Sequence, residues 1–222
     1  MLTRTKELLG AGVNKLVSAK VMVVGVGGVG GAVAECLVRT GIGEIILVDG
    51  DVINKSNLNR QIFTYEQNIG KFKVQEMAKR IKLINPNCNV VEICEFVSKT
   101  NAINFAEMKV DYIVDCIDDI PAKIELIKTA KSLGNNVISA MGAGNRIGLP
   151  NFAIMDIYKT SYDPLAKIFR KKLRENGIEN LDVCVSTSPV DIKQSPPASV
   201  MWQPLTCGAV ISAYVVDKIC KN

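Results

Sequence analysis

The sequence contains no histidine. Serine–histidine hydrolysis, imidazole acid–base chemistry and histidine-ligated zinc are therefore outside its inventory. Its seven cysteines, at positions 36, 88, 94, 116, 184, 207 and 220, include no C-x-x-C pair, so the paired thiolates of a zinc site are also missing. An odd cysteine count with no apolar leader at the N-terminus points to a reducing compartment, with most thiols serving as small buried apolar groups. The longest apolar stretch, from Pro204 to Val216, is too short to span a bilayer and carries Thr206 and Ser212. These absences predict a cytoplasmic protein without a membrane partner.

What is present is ordinary for a folded protein: 222 residues, 48% hydrophobic and 22% charged. A chain of this length buries a full core without disulfide or metal staples, which excludes disordered, collagen-like and disulfide-scaffold classes. Its chemistry must rest on Asp, Glu, Lys, Arg, Cys, backbone groups or a bound ion. The net charge is +5, and it is unevenly placed. Six basic residues, Lys159, Lys167, Arg170, Lys171, Lys172 and Arg174, lie in a segment whose one acid is Asp163. Such a run is either a solvated helix face or a surface for a polyanion such as nucleic acid.

Periodicity predicts alternating strands and helices. Residues 6–17 read as a helix and 21–24 as a buried parallel strand, followed by a glycine turn and a helix to about Arg39. A second strand, 44–48, ends at Asp49, and residues 50–69 read as a long loop. Helix 71–84, strand 89–93, helix 99–108, strand 112–116, helix 121–133 and strand 137–140 complete the first part. After about Pro150 come strands at 152–157 and 181–185, a basic helix at 163–175, a loop at 188–198 and a closing helix from Cys207 to Ile219. The pattern predicts an α/β fold: a doubly wound, mainly parallel, Rossmann-like sheet with a C-terminal α+β extension. We read residues 1–222 as one domain, 1–150 forming the nucleotide half and 151–222 the half for substrate recognition and dimer contact.

The strongest motif is the strand–turn–helix carrying Gly25, Gly27, Gly28 and Gly30. Residues without side chains let the backbone approach a phosphate, and the helix start offers free N–H donors. Asp49 stands 19 residues after Gly30, at a second strand end, where a carboxylate accepts hydrogen bonds from ribose hydroxyls. A nicotinamide dinucleotide is the default ligand of such a motif. The amides and cations that follow, Asn57, Arg60 and Lys73, suit a triphosphate better. Asp118, after the strand at 112–116, faces phosphates reasonably only across a magnesium ion.

Gly25-Val-Gly-Gly-Val-Gly30, Asp49-Gly50-Asp51, Ser56-Asn57-Leu58-Asn59-Arg60-Gln61, Gly70-Lys71-Phe72-Lys73 and Asp115-Cys-Ile-Asp118 resemble the adenylating superfamily of ThiF, MoeB and HesA type. It includes the ubiquitin-activating enzymes and the bacterial activators of sulfur-carrier proteins. The resemblance implies that Asp49 holds the ribose and that Asp51 belongs to the same cofactor-binding set. It places Asn57, Arg60 and Lys73 on phosphates, Asp118 on magnesium, and Arg4 reaching the triphosphate across a homodimer. ATP and Mg2+ are the implied cofactors, with Arg4, Arg60, Lys73 and Asp118 carrying the chemistry.

Ser139-Ala-Met-Gly-Ala-Gly-Asn-Arg146, Asp156-Ile-Tyr-Lys-Thr160 and Asp163-Pro-Leu-Ala166 resemble one branch, the tRNA threonylcarbamoyladenosine dehydratases. That resemblance implies an ATP-dependent enzyme that adenylates the carboxylate of threonylcarbamoyladenosine in tRNA and closes a ring with net loss of water. Its partner is tRNA carrying that base, held by the basic segment; sulfur-relay or redox partner proteins stay unknown. Three other readings remain open: an activator of a small sulfur-carrier protein, a nicotinamide-dependent oxidoreductase, and a non-catalytic nucleotide-binding module. Cys184, in an apolar strand, and Cys207, at the expected start of the last helix, are expected to pack; a helix N-terminus would lower the Cys207 thiol pKa and make it nucleophilic.

Overall fold

The computed structural model describes residues 1–221. Its centre is a seven-stranded sheet: β1 Lys20–Val24, β2 Glu44–Val48, β3 Asn89–Ile93, β4 Tyr112–Asp115, β5 Val137–Ala140, β6 Phe152–Asp156 and β7 Asp182–Ser186. The spatial order is β3-β2-β1-β4-β5-β7-β6. Every neighbouring pair is parallel except β6 with β7. Continuous apolar runs build the middle of this sheet because helices cover both of its faces. In β1, Val21 to Val24 are all buried.

One face is covered by α3 Gly28–Thr40, α4 Lys73–Ile84 and α8 Trp202–Lys221, the other by α5 Ala102–Ala106, α6 Ile120–Ser132 and α7 Pro164–Glu175. α8 lies tightly on α3. A Cβ on Gly208 would stand 2.6 Å from Cβ of Ala32, so the small residue sets how near the two axes come. Two helices are started by aspartates followed by proline. Asp119 accepts from the Ala122 N–H and Asp163 from the Ala166 N–H, each holding a donor that the first turn leaves free.

Four expectations need correction. The predicted helix over 6–17 is two helices, α1 Thr3–Leu9 and α2 Gly12–Ser18, because Gly10 takes a positive φ of 55° and ends the first. The helix at 99–108 shrinks to Ala102–Ala106. The loop at 50–69 contains two short 3-10 turns, Lys55–Asn57 and Glu66–Asn68, the first closed by Asn57 Oδ1 accepting from the Asn54 N–H. The last helix begins five residues before Cys207, at Trp202. The strands after residue 150 join the same sheet as the first five, so both halves share one framework.

Candidate active site

Strand order reverses between β1 and β4, which lie side by side while their outer neighbours run to opposite edges. A crevice opens there beyond the carboxyl ends of the strands. Here it is a cavity of about 1070 Å³. β1 delivers Gly25, Gly27 and Gly28 to it, β2 delivers Asp49, and the segment after β4 delivers Asp118. The chain between β2 and α4 adds Asp51, Asn57, Arg60 and Lys73. Residues more than ninety positions apart in the chain thus meet on one wall. A smaller cavity of about 260 Å³ beside Lys15 and Lys218 takes in none of these residues.

Glycine is required at two places in the turn. Gly25 has φ of 87°, and a Cβ there would lie 2.6 Å from the Cys116 carbonyl oxygen. A Cβ on Gly30 would lie 1.8 Å from the Gly25 carbonyl oxygen, so a side chain would force α3 away from the strand it follows. Gly30 does not line the cavity; it shapes the turn from behind.

Lys73 is buried at the start of α4. Its Nζ is 2.6 Å from Asp51 Oδ2 and 3.9 Å from Asp49 Oδ2. Asp49 also accepts from the backbone N–H groups of Val26 and Asp51. Burial pushes the Asp49 carboxyl above the usual aspartate range, against the opposing pull of the Lys73 charge and these two N–H bonds. Arg60 is half-buried and turned by its Nη1 onto the Ser56 carbonyl (2.7 Å) and Asn59 Oδ1 (3.0 Å). Asp118 is exposed at the rim. Arg4 does not line the cavity of its own chain.

Sequence reasoning missed the group that shapes the Asp118 segment. Lys123 and Asp115 are fully buried, with Nζ 2.7 Å from Oδ2. Asp115 also accepts from Ser139 Oγ at 2.6 Å and from the Ile117 N–H at 3.1 Å, while Lys123 donates to the Ile117 carbonyl. Both peptide groups of Ile117 are therefore fixed, one residue before Asp118. The signal was a lysine five residues after Asp118 on a helix whose neighbours are apolar. The far wall was missed as well: Met141, Gly142, Ala143 and Gly144 after β5, with Pro196, Pro197 and Ser199.

Residues 3–150 match the ThiF family. The chain belongs to that family. A tRNA threonylcarbamoyladenosine dehydratase of Bacillus subtilis is 36% identical over 95% of this chain and 91% of its own. One from Haemophilus influenzae is 39% identical over 81% of this chain and 72% of its own. The crystal structure of the E. coli tRNA N6-threonylcarbamoyladenosine dehydratase with ATP superimposes with a TM-score of 0.92 at 31% identity, covering 98% of this chain and 93% of that one. The seven-stranded, doubly wound sheet expected from the sequence is the fold of this ThiF-family chain.

Cys184 and Cys207 of this ThiF-family protein pack as expected, but for a different reason at 207, whereas Cys94 is exposed and Cys36, Cys116 and Cys220 are half-buried. Cys207 sits in the second turn of α8, so no free helix end faces it. Its Sγ is 3.5 Å from that of Cys184, and both side chains are wholly buried. The contact with Cys184, reinforced by burial, drives the Cys207 thiol pKa up, the reverse of activation.

The basic segment divides. Lys167 and Lys171 on α7 and Lys159 before it are exposed. Arg170 instead turns inward and donates to the Thr160 carbonyl (2.9 Å) and hydroxyl. Lys172 pairs with Glu175, and Arg174 stacks 5.0 Å from the centre of the Tyr158 ring. Among the described residues no helix is long and apolar enough to cross a membrane.

Proposed function

We propose that this chain is an ATP-dependent tRNA threonylcarbamoyladenosine dehydratase. The observation that carries this reading is the shared cavity. Glycine turn, Arg60, Lys73 and Asp118 form one wall, and the opposite wall runs from Met141 to Gly144 toward the basic helix. Relatives with that name match nearly the whole chain, including this second wall.

The resting carboxylate of the threonylcarbamoyl group resists attack because its leaving group would be oxide. In the proposed reaction its oxygen attacks the α-phosphorus of ATP, the bond to the β-phosphate breaks, and pyrophosphate departs. An atom of the same carbamoyl side chain then attacks the activated carbonyl carbon. AMP leaves, a proton is released, and the sum is loss of water. The second attack is intramolecular, so positioning supplies the rate and no protein nucleophile is needed. That suits a site without histidine in which Cys184 and Cys207 are sealed away.

The chain's own groups have defined work in this scheme. Backbone N–H groups at the start of α3, with Arg60 and Lys73, face the phosphate charge that grows as pyrophosphate leaves. Asp49 accepts from the ribose. Among the described residues no three His, Cys, Asp or Glu side chains cluster to hold a metal by themselves. The exposed carboxylate of Asp118 at the rim fits a magnesium ion that takes its remaining ligands from phosphates and water. Magnesium there would neutralise phosphate charge. Arg4, which does not line the cavity of its own chain, would serve a partner's cavity in a homodimer. Lys159, Lys167 and Lys171 would take tRNA phosphates, and a tRNA substrate places the enzyme in the cytoplasm.

The test is ATP–pyrophosphate exchange with purified protein, followed by mass analysis of the tRNA nucleosides. Exchange stimulated by tRNA bearing threonylcarbamoyladenosine, with a product lighter by one water, supports the reading. Stimulation by a small sulfur-carrier protein instead refutes it.

A further inference from the structure

Behind the far wall of the cavity lies a second buried ion pair that the proposed reaction does not use. Arg146 Nη2 is 3.3 Å from Asp163 Oδ2, and the two side chains are only 4% and 1% exposed. Arg146 also donates through Nη1 to the Ser188 carbonyl, but its buried Nε meets no acceptor among the described residues. A buried guanidinium with an unsatisfied N–H and a long ion-pair contact opposes folding. Stability therefore does not account for it.

Its placement does. Asp163 touches two parts of the molecule at once. Oδ1 accepts from the Ala166 N–H at 2.8 Å and starts α7, the basic helix. Oδ2 sits against the wall: a Cβ on Gly142 would lie 3.0 Å from it. Gly142 and Leu165, on either side of this contact, both line the cavity. Arg146 ties the same carboxylate to the chain after β7 at Ser188. Below the wall, α7 inserts Phe169, whose ring lies 5.6 Å from Lys123 Nζ, the group that fixes the Asp118 segment. A displacement of α7 is thus passed to both walls of the cavity through side chains that have no room to relax.

We propose that Arg146 and Asp163 are positioning residues. They hold the Met141–Gly144 wall in register with the basic helix, so that tRNA seated on α7 presents its modified base to the activated phosphate at the right distance. This rests on the function proposed above. Neither residue lines the cavity, so their loss acts on the geometry of the bound complex. A misplacement of about 1 Å is enough to cost roughly a hundredfold in rate.

The experiment uses full-length Arg146→Met and Asp163→Asn. Asn still accepts from the Ala166 N–H and keeps the helix start while removing the charge. Wild-type conversion of modified tRNA is measured first; its absence would refute the proposed function and with it the positioning role, whereas the variant outcomes below bear on the positioning role alone. With wild-type turnover established, the expected result is at least a tenfold loss of kcat in both variants. ATP affinity and tRNA affinity, measured by fluorescent-nucleotide and filter binding, stay within twofold of wild type, and Arg146→Lys recovers part of kcat. An unchanged kcat with a lowered Tm makes the pair merely structural and overturns the proposal. A loss of rate matched by weaker ATP or tRNA binding overturns it too, because the residues would then act as contacts.

Discussion

Lys123 Nζ and Asp115 Oδ2 meet 2.7 Å apart with no exposure of either side chain. They join β4, β5 and α6 at the point where the chain turns toward Asp118. Two charges out of water are tolerated because each finds several partners: Asp115 three donors, Lys123 a carboxylate, a carbonyl and an aromatic face.

Removing one partner should be severe. Lys123→Met leaves the Asp115 carboxylate buried without its counter-charge and is expected to destabilise by about 3–5 kcal/mol. Urea unfolding monitored by circular dichroism would read this as a lower midpoint. The double variant Lys123→Met/Asp115→Asn should recover part of the loss. A Lys123→Met protein as stable as wild type would mean that the charge is not held as described.

Lys73 is the cation with the firmest anchor in the cavity, fixed by Asp51 and facing Asp49. Its ammonium can follow growing phosphate charge with little rearrangement. Lys73→Ala is expected to slow ATP–pyrophosphate exchange by about 100-fold or more, the scale of losing one preorganised charge stabiliser. Unaffected exchange would exclude Lys73 from the phosphate path.

The Asp49 carboxyl lies above the usual aspartate range because it is buried. Only its ionised form is a full acceptor for ribose hydroxyls, so ATP affinity should fall as pH drops through that raised pKa, earlier than for an exposed aspartate. Stability runs the other way. With the folded pKa above the unfolded one, this group's contribution is complete below the unfolded pKa and is lost as pH rises through the folded pKa. Titrating both quantities separates them. Lys73→Ala removes an opposing charge and should move the binding midpoint further up. ATP affinity that ignores pH down to the ordinary aspartate range would contradict this role.

The basic helix offers a divided prediction. Lys167→Glu/Lys171→Glu should weaken tRNA binding and flatten its salt dependence, by roughly 0.7–0.9 in the log–log slope for each phosphate no longer neutralised. ATP affinity should stay as it was. Arg170→Ala should lower thermal stability instead, because its guanidinium fastens Thr160. Filter binding across a salt series, with a melting curve for each variant, checks both parts. Equal losses of tRNA affinity in the two cases would show that Arg170 does face the nucleic acid.

Much of this was legible along the chain. Apolar runs with period-free burial marked the central strands, and a glycine turn followed by a helix and an acid at the next strand end marked one side of the cavity. Such local rules work because the carboxyl ends of the parallel strands in a doubly wound sheet all reach the same edge. Gly25, Asp49, Lys73 and Asp118 could therefore be placed together without a structure. The rule failed at Gly10, where one positive φ divides a helix whose apolar spacing is unbroken. It failed again at Cys207, which lies in the second turn of a helix that begins at Trp202.

The sequence by itself determined the order of strands and helices, the absence of imidazole chemistry and the cluster of strand-end residues that lines the cavity, because these follow from spacing and residue type alone. The tertiary structure decided which charges are free and which are spent inside. Arg170 turns onto Thr160, Lys123 onto Asp115 and Arg146 onto Asp163, although in the sequence they look like any other basic residue. The reason is that burial is a property of long-range packing. Whether a cation meets solvent, a phosphate or a carboxylate depends on which distant segment the fold brings against it.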